Sequence, residues 1–165
     1  MNDVRGIVGS GAGKGVNGAA PSSAFPSSVT MKPSLYRAPV LDIIDERALD
    51  RECLSQSLVS HGLNMTIVLF NSIEAWMAKY SGESSGLLIS LGSHDFTESG
   101  IEDSIRTLVT KFPDLPVIIL SDNHDLRQVL TALDLGIKGF IPSAVGIAVC
   151  VKAISLALSG GIFIS

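Results

Sequence analysis

The sequence is poor in cysteine, in charge and in aromatic residues. Its two cysteines, Cys53 and Cys150, are too few for a disulfide scaffold, and they favour a reducing compartment, here the cytoplasm. Charged residues make up 17% of the chain and sum to a formal net charge of −4, which argues against direct binding of nucleic acid. The three histidines have no metal-ligand spacing, so no zinc site is predicted.

The first 38 residues lack any sustained apolar period and are rich in glycine, serine and proline. Such a segment buries too little surface to offset its ordering entropy, and we predict a disordered arm. Its glycine run, residues 9–15, resembles a phosphate-binding loop. However, Val8 stands where such a loop needs glycine, and Gly15 stands where it needs a hydroxyl. Residues 39–165 are predicted to form the single folded domain.

From residue 39 onward, short runs rich in Val, Ile and Leu alternate with segments of helical period. The predicted strands are 39–45, 65–70, 86–91, 116–121 and 138–141, and the predicted helices are 46–61, 72–80, 98–112, 123–135 and 145–159. This alternation predicts an α/β fold with a doubly wound, five-stranded parallel sheet and helices on both faces. The flavodoxin-like order 2-1-3-4-5 is expected, with function at the carboxyl ends of strands 1 and 3.

Four motifs in this order resemble the receiver domain of two-component response regulators, in particular the LuxR/FixJ-type subfamily whose receiver precedes a helix-turn-helix. They are Asp45-Glu46 followed by Leu49 and Arg51-Glu52, the strand end Leu88–Gly92, the strand Val117–Ser121, and Leu133–Pro142 together with residues 160–164. The resemblance covers residues 39–161. It implies a role in signal transduction and transcription regulation, with a DNA-binding helix-turn-helix domain that these 165 residues do not contain.

The sequence departs from that family at two central positions. The resemblance implies a phosphoacceptor carboxylate at the end of strand 3 and a phosphoryl-binding lysine after strand 5, but the residues there are Ser90 and Ser143. A serine needs an adjacent base to become nucleophilic. Asp45, Glu46 and the switch hydroxyl Ser121 remain, so the phosphorylation site is predicted to be degenerate.

The resemblance also assigns Phe140 the place of a switch aromatic residue. Asp45 and Glu46 together give at most a weak magnesium site, since a third carboxylate is absent. No cofactor and no catalytic residue are predicted. We expect an atypical receiver that signals through protein–protein interaction and is not an enzyme. Two alternatives remain: a small-molecule or cofactor binder on the same scaffold, which an absorbance scan would test for flavin, and a phosphotransfer enzyme.

The last predicted helix carries one charge in fourteen residues, from Val145 to Leu158. One apolar stripe is expected to face the sheet. A second stripe of Val145, Val149 and Leu156, beside Lys152, has nothing to cover it, and we predict a homodimer through this helix. A membrane span over residues 145–164 is the rival interpretation, which Lys152 and the following glycines disfavour.

Overall fold

The computed structural model describes residues 38–165, so the predicted arm, apart from residue 38, lies outside the described residues. These residues form one parallel sheet in the order β2-β1-β3-β4-β5-β6. The strands are β1 (Val40–Ile44), β2 (Thr66–Phe70), β3 (Gly86–Gly92), β4 (Val117–Ser121), β5 (Gly139–Pro142) and β6 (Phe163–Ile164). The predicted doubly wound fold is confirmed, but the predicted number of strands is wrong. Residues 163–164 pair with β5 and extend the sheet by a sixth strand.

Five helices of the described chain connect the strands. They are α1 (Ala48–Ser60), α2 (Ile73–Lys79), α3 (Ser99–Lys111), α4 (Leu126–Asp134) and α5 (Ile147–Leu158). Side-chain caps fix two of their starts, because the Ser72 hydroxyl accepts a hydrogen bond from the amide of Ala75 at 3.0 Å, and Asp125 caps α4 in a similar way. Within residues 38–165 no helix has the length and apolar character needed to cross a membrane.

The sheet separates two apolar cores. One core lies against α2, α3 and α4 and contains Trp76, Phe96 and Phe140. The other lies against α1 and α5 and contains Leu58 and Cys150. Burial raises the pKa of the Cys150 thiol to about 11, so the thiol stays protonated, as expected for a structural cysteine.

Helices α1 and α4 bury only part of their apolar pattern. Leu49 and Cys53 are exposed on α1, since they lie about 140° around the helix from Leu54 and Leu58, five residues later, which face the sheet. On α4, Leu126 and Leu130 are more than half exposed, while Gln128, Val129 and Ala132 are buried. The buried face of each helix is therefore narrower than the apolar pattern suggested.

Candidate functional site

The carboxyl ends of four strands meet at one edge of the sheet and bring Asp45, Ser90, Ser121 and Ser143 together. A register shift between Ser90 and Gly92 in β3 marks this edge. A cavity of about 220 Å³ opens here, which we call the acidic pocket. Its lining residues are Asp45, Arg47, Asp50, Leu54, Ser90, Leu120, Asp122 and Ser143. This is the switch point between β1 and β3 where open α/β sheets place their sites.

Asp45 is 1% exposed and receives three hydrogen bonds from a single residue. The Arg47 amide donates to Oδ1 at 2.9 Å, and the guanidinium donates from Nε to Oδ1 and from Nη2 to Oδ2, both at 3.1 Å. Arg51 adds a bond from Nη1 to the Asp45 carbonyl oxygen at 2.6 Å. The buried carboxylate is therefore paired in the bidentate geometry that stabilises a buried charge.

The Arg47 guanidinium also reaches a second carboxylate, since its Nη1 lies 2.9 Å from Asp50 Oδ2. Its hydrogen bonds to Asp45, followed by the charges of Asp45, Asp50 and Asp122, raise the pKa of Arg47 above its ordinary value. The surrounding carboxylates therefore favour the charged form of Arg47. The sequence motifs did not point to Arg47. Its position two residues after a strand-end acid is nevertheless compatible with a bidentate pairing to that acid.

Ser90 is half-buried at the end of β3, opposite Leu120 of β4. Its hydroxyl makes no hydrogen bond to any of the residues that the structure describes. The nearby acids Asp45 and Asp122 are occupied by Arg47 and Ser143, respectively. Ser90 therefore lacks the positioned base that a nucleophilic serine requires.

Ser143 is tied to the end of β4. Its amide donates to the Ser121 carbonyl at 2.8 Å, and its hydroxyl donates to Asp122 Oδ1 at 2.5 Å. The buried Ser121 hydroxyl accepts from the Asn123 amide at 3.1 Å. Phe140, the predicted switch aromatic residue, is fully buried in the core on the α2–α4 side.

Glu46 turns away from the acidic pocket. Its Oε1 lies 3.0 Å from Nε2 of His94, whose Nδ1 lies 3.6 Å from Glu98 Oε2. The hydrogen bond to Glu46 and the charges of Glu46 and Glu98 raise the pKa of His94. These three side chains line a second cavity of about 360 Å³ that also reaches Ser90. The spacing of the histidines in the sequence gave no indication of this pairing.

The magnesium ion that the resemblance implies does not fit this arrangement. Asp45 faces Arg47 and Glu46 faces His94, so the two carboxylates do not converge on one position. Among residues 38–165 no cluster of three His, Cys, Asp or Glu side chains is arranged to hold a metal ion. Asp95, in the loop after β3, is also engaged, because it accepts from the Thr97 amide at 2.8 Å and from the Thr97 hydroxyl at 2.5 Å.

Comparison with known proteins finds solved structures with a similar fold. No protein-family model matches the sequence, and no curated protein sequence matches it significantly. A LuxR family DNA-binding response regulator from Silicibacter pomeroyi shares 24% identity at a TM-score of 0.64, covering 77% of this chain and 97% of that one. A response regulator receiver protein from Pseudoalteromonas atlantica shares 28% identity at a TM-score of 0.62, covering 74% and 98%.

A third similar structure is the isolated REC domain of RcsB from Salmonella enterica serovar Typhimurium, solved in the presence of the phosphomimetic BeF3−. It shares 19% identity at a TM-score of 0.65, covering 77% of this chain and 93% of that one. The described residues thus have the fold of response-regulator receiver domains, as the sequence motifs predicted.

Proposed function

We propose that this chain is an atypical receiver domain, which signals through protein–protein contact without aspartyl phosphorylation and without enzymatic activity. The observation that carries this proposal is the serine at the end of β3, beside an aspartate that an arginine already neutralises. We further propose a cytoplasmic role in transcription regulation, supported by the likeness to a LuxR family DNA-binding response regulator. Its DNA-binding partner would be a helix-turn-helix domain.

The chemistry of the acidic pocket supports the absence of phosphoryl transfer. An acyl phosphate needs a carboxylate that is free to attack, and each acid near Ser90 is engaged. Asp45 is paired with Arg47, and Asp122 accepts from Ser143. Ser143 brings no positive charge to compensate a phosphoryl group, whereas a lysine in its place would.

The two switch positions, Ser121 and Phe140, are held within the fold. The Ser121 hydroxyl is buried and bonded to the backbone, and Phe140 is packed into the core. If the domain is not phosphorylated, neither side chain has a phosphoryl group to which it could respond by moving. We therefore propose that the domain presents the same surface to its partners at all times.

Phosphorylation is tested with acetyl phosphate and magnesium, followed by mass spectrometry of the intact protein. The expected mass is that of the unmodified chain, because the pocket offers no free acceptor. A receiver domain with an acceptor aspartate, treated identically, serves as the positive control. A stoichiometric phosphoryl adduct on Asp45, Asp122 or any other acid of the pocket would contradict the proposal.

We also propose that the protein forms a homodimer through α5. Val149 and Leu156 are 40% and 44% exposed, and Lys152 is exposed beside them, while Val145 is half-buried against the core. The segment after α5 folds back onto it, since the Gly161 amide donates to the Leu156 carbonyl at 3.0 Å. Two-fold pairing of this face would cover apolar surface that a monomer leaves in water.

The dimer is tested by sedimentation of wild type and of the double variant Val149→Glu with Leu156→Glu. The wild type is expected to sediment as a dimer and the variant as a monomer, because two charges on each copy would meet across the axis. The matched control is Thr107→Glu with Thr110→Glu, two exposed positions on α3, which should remain dimeric. A monomeric wild type would refute the dimer.

A further inference from the structure

The acidic pocket contains a cation of its own. The Arg47 guanidinium binds both oxygens of Asp45 and reaches Asp50, as described above. It also lies directly against the backbone at the end of β3. A Cβ atom added to Gly92 would stand 2.8 Å from Arg47 Cζ, which is closer than real Cβ contacts allow. The guanidinium therefore lies at the carboxyl ends of β1 and β3. It contacts Gly92, which is two residues beyond Ser90.

A divalent cation in this pocket would compete with the guanidinium for the same oxygens. Magnesium prefers carboxylate oxygens and water in an octahedral arrangement. Both oxygens of Asp45 are already taken by Arg47, and one oxygen of Asp50 is as well. A divalent cation and the guanidinium would also repel each other in this small pocket. A metal can therefore bind only after the guanidinium leaves.

Three acids surround this single guanidinium. Asp45, Asp50 and Asp122 all line the acidic pocket, and each contributes to the electrostatic environment of Arg47. Without Arg47, the carboxylates of Asp45 and Asp50 would lose their shared partner, while Asp122 would keep its bond to Ser143. Arg51 would not replace it, because its bond goes to the main-chain oxygen of Asp45.

We propose that the Arg47 guanidinium is the built-in cation of the acidic pocket and that, by holding both carboxylate oxygens of Asp45, it excludes divalent metal ions. This inference rests on the proposed function, in which the domain accepts no phosphoryl group and needs no metal to bind one. It extends that function by stating that Arg47 balances the negative charge of the acids in the pocket.

The test compares wild type with Arg47→Met, which keeps a long apolar side chain and removes the charge. The matched control is Arg106→Met, since Arg106 pairs with Glu102 on the exposed face of α3. The probe is Mn2+, followed by the electron paramagnetic resonance signal of the free ion, with Mg2+ as competitor. Arg47→Met is expected to bind Mn2+ at least about tenfold more tightly than wild type and the control.

A further exchange of Asp45→Asn in the Arg47→Met background is expected to abolish this gain, which assigns the ion to the pocket. Equal Mn2+ binding by wild type and Arg47→Met would overturn the inference. It would also be overturned if the Asp45→Asn exchange left the gain unchanged.

A measurement on the wild type covers the case in which Arg47→Met does not fold. The Arg47 Nε proton, bonded to a buried carboxylate, should exchange slowly with water in nuclear magnetic resonance spectra and should not respond to millimolar Mg2+. Loss of that signal on adding Mg2+ would overturn the inference. A phosphoryl adduct without metal uptake would refute only the proposed function, whereas metal uptake without an adduct would refute only this inference.

Discussion

Two buried aspartates, Asp42 within β1 and Asp45 directly after it, bind partners of different kinds. Asp42 is 3% exposed, and its Oδ2 accepts hydrogen bonds from Trp76 Nε1 at 2.8 Å and from the Ser84 hydroxyl. Both of these donors are uncharged. Asp45 is paired instead with the guanidinium of Arg47. The first aspartate is thus held by dipoles and the second by a full charge.

The partners also differ in their distance along the chain. Trp76 lies 34 residues after Asp42 and Ser84 lies 42 residues after it, so these bonds tie α2 and the loop before β3 to β1. Arg47 lies only two residues after Asp45. Asp42 therefore connects distant elements of the fold, whereas the pairing at Asp45 is local to the strand-end edge of the sheet.

An aromatic cluster surrounds the Asp42 link. The rings of Trp76 and Tyr80 stack with centroids 4.4 Å apart, and Phe112 meets both of them edge-on. Burial, and then the charge of Asp42, raise the pKa of the Tyr80 hydroxyl. The bonds at Asp42 are therefore shielded from water, which makes their loss costly.

The largest effect is expected from Asp42→Ala. This change leaves the buried Trp76 indole without an acceptor and should lower the free energy of unfolding by about 2–3 kcal/mol. Urea denaturation followed by the fluorescence of Trp76, the one tryptophan of the chain, measures it. Asp42→Asn keeps an acceptor oxygen and should cost less. An Asp42→Ala variant as stable as wild type would show that the link is not structural.

A smaller effect is expected from Arg47→Met, which leaves Asp45 buried without its charged partner. Loss of a fully buried partner costs several kcal/mol, but the Arg47 side chain is 44% exposed and water replaces part of the pairing. The expected loss is about 1–2 kcal/mol. Arg106→Met, on the exposed face of α3, should cost less than about 0.5 kcal/mol. Equal losses of unfolding free energy in the two variants would mean that burial of Asp45 does not increase the contribution of its ion pair to stability.

The contrast between the two aspartates also shows what the sequence can predict. Strand and helix periods placed β1–β5 and α1–α5, because burial between two helix layers leaves near-continuous apolar runs. The short β6 was not predicted, since two residues carry no period of their own. Asp42 gave no signal, because its partners are distant in sequence and only the folded chain brings them together.

At the candidate site the strand-end positions were predictable, but the side-chain directions were not. Asp45, Ser90, Ser121 and Ser143 do meet at one edge. Glu46, the neighbour of Asp45, points to the other side and pairs with His94 instead. The two acids therefore line different cavities, although they are adjacent in the sequence and belong to one motif.

The smallest effect concerns His94, which is exposed and lies between Glu46 and Glu98. Its pKa is raised in the folded protein, first by the hydrogen bond to Glu46. The pairing therefore stabilises the fold fully below the unfolded pKa of about 6.5, and this contribution is lost as the pH rises through the raised folded value.

His94→Gln should consequently lower the melting temperature more at about pH 6 than at about pH 8. Salt should reduce the difference, because exposed charges are screened. Thermal unfolding of wild type and variant at both pH values measures the effect, and His124→Gln, which removes another exposed histidine, is the control. If His94→Gln lowered the melting temperature equally at both pH values, its contribution would come from packing, and the charge pairing with Glu46 would not stabilise the protein.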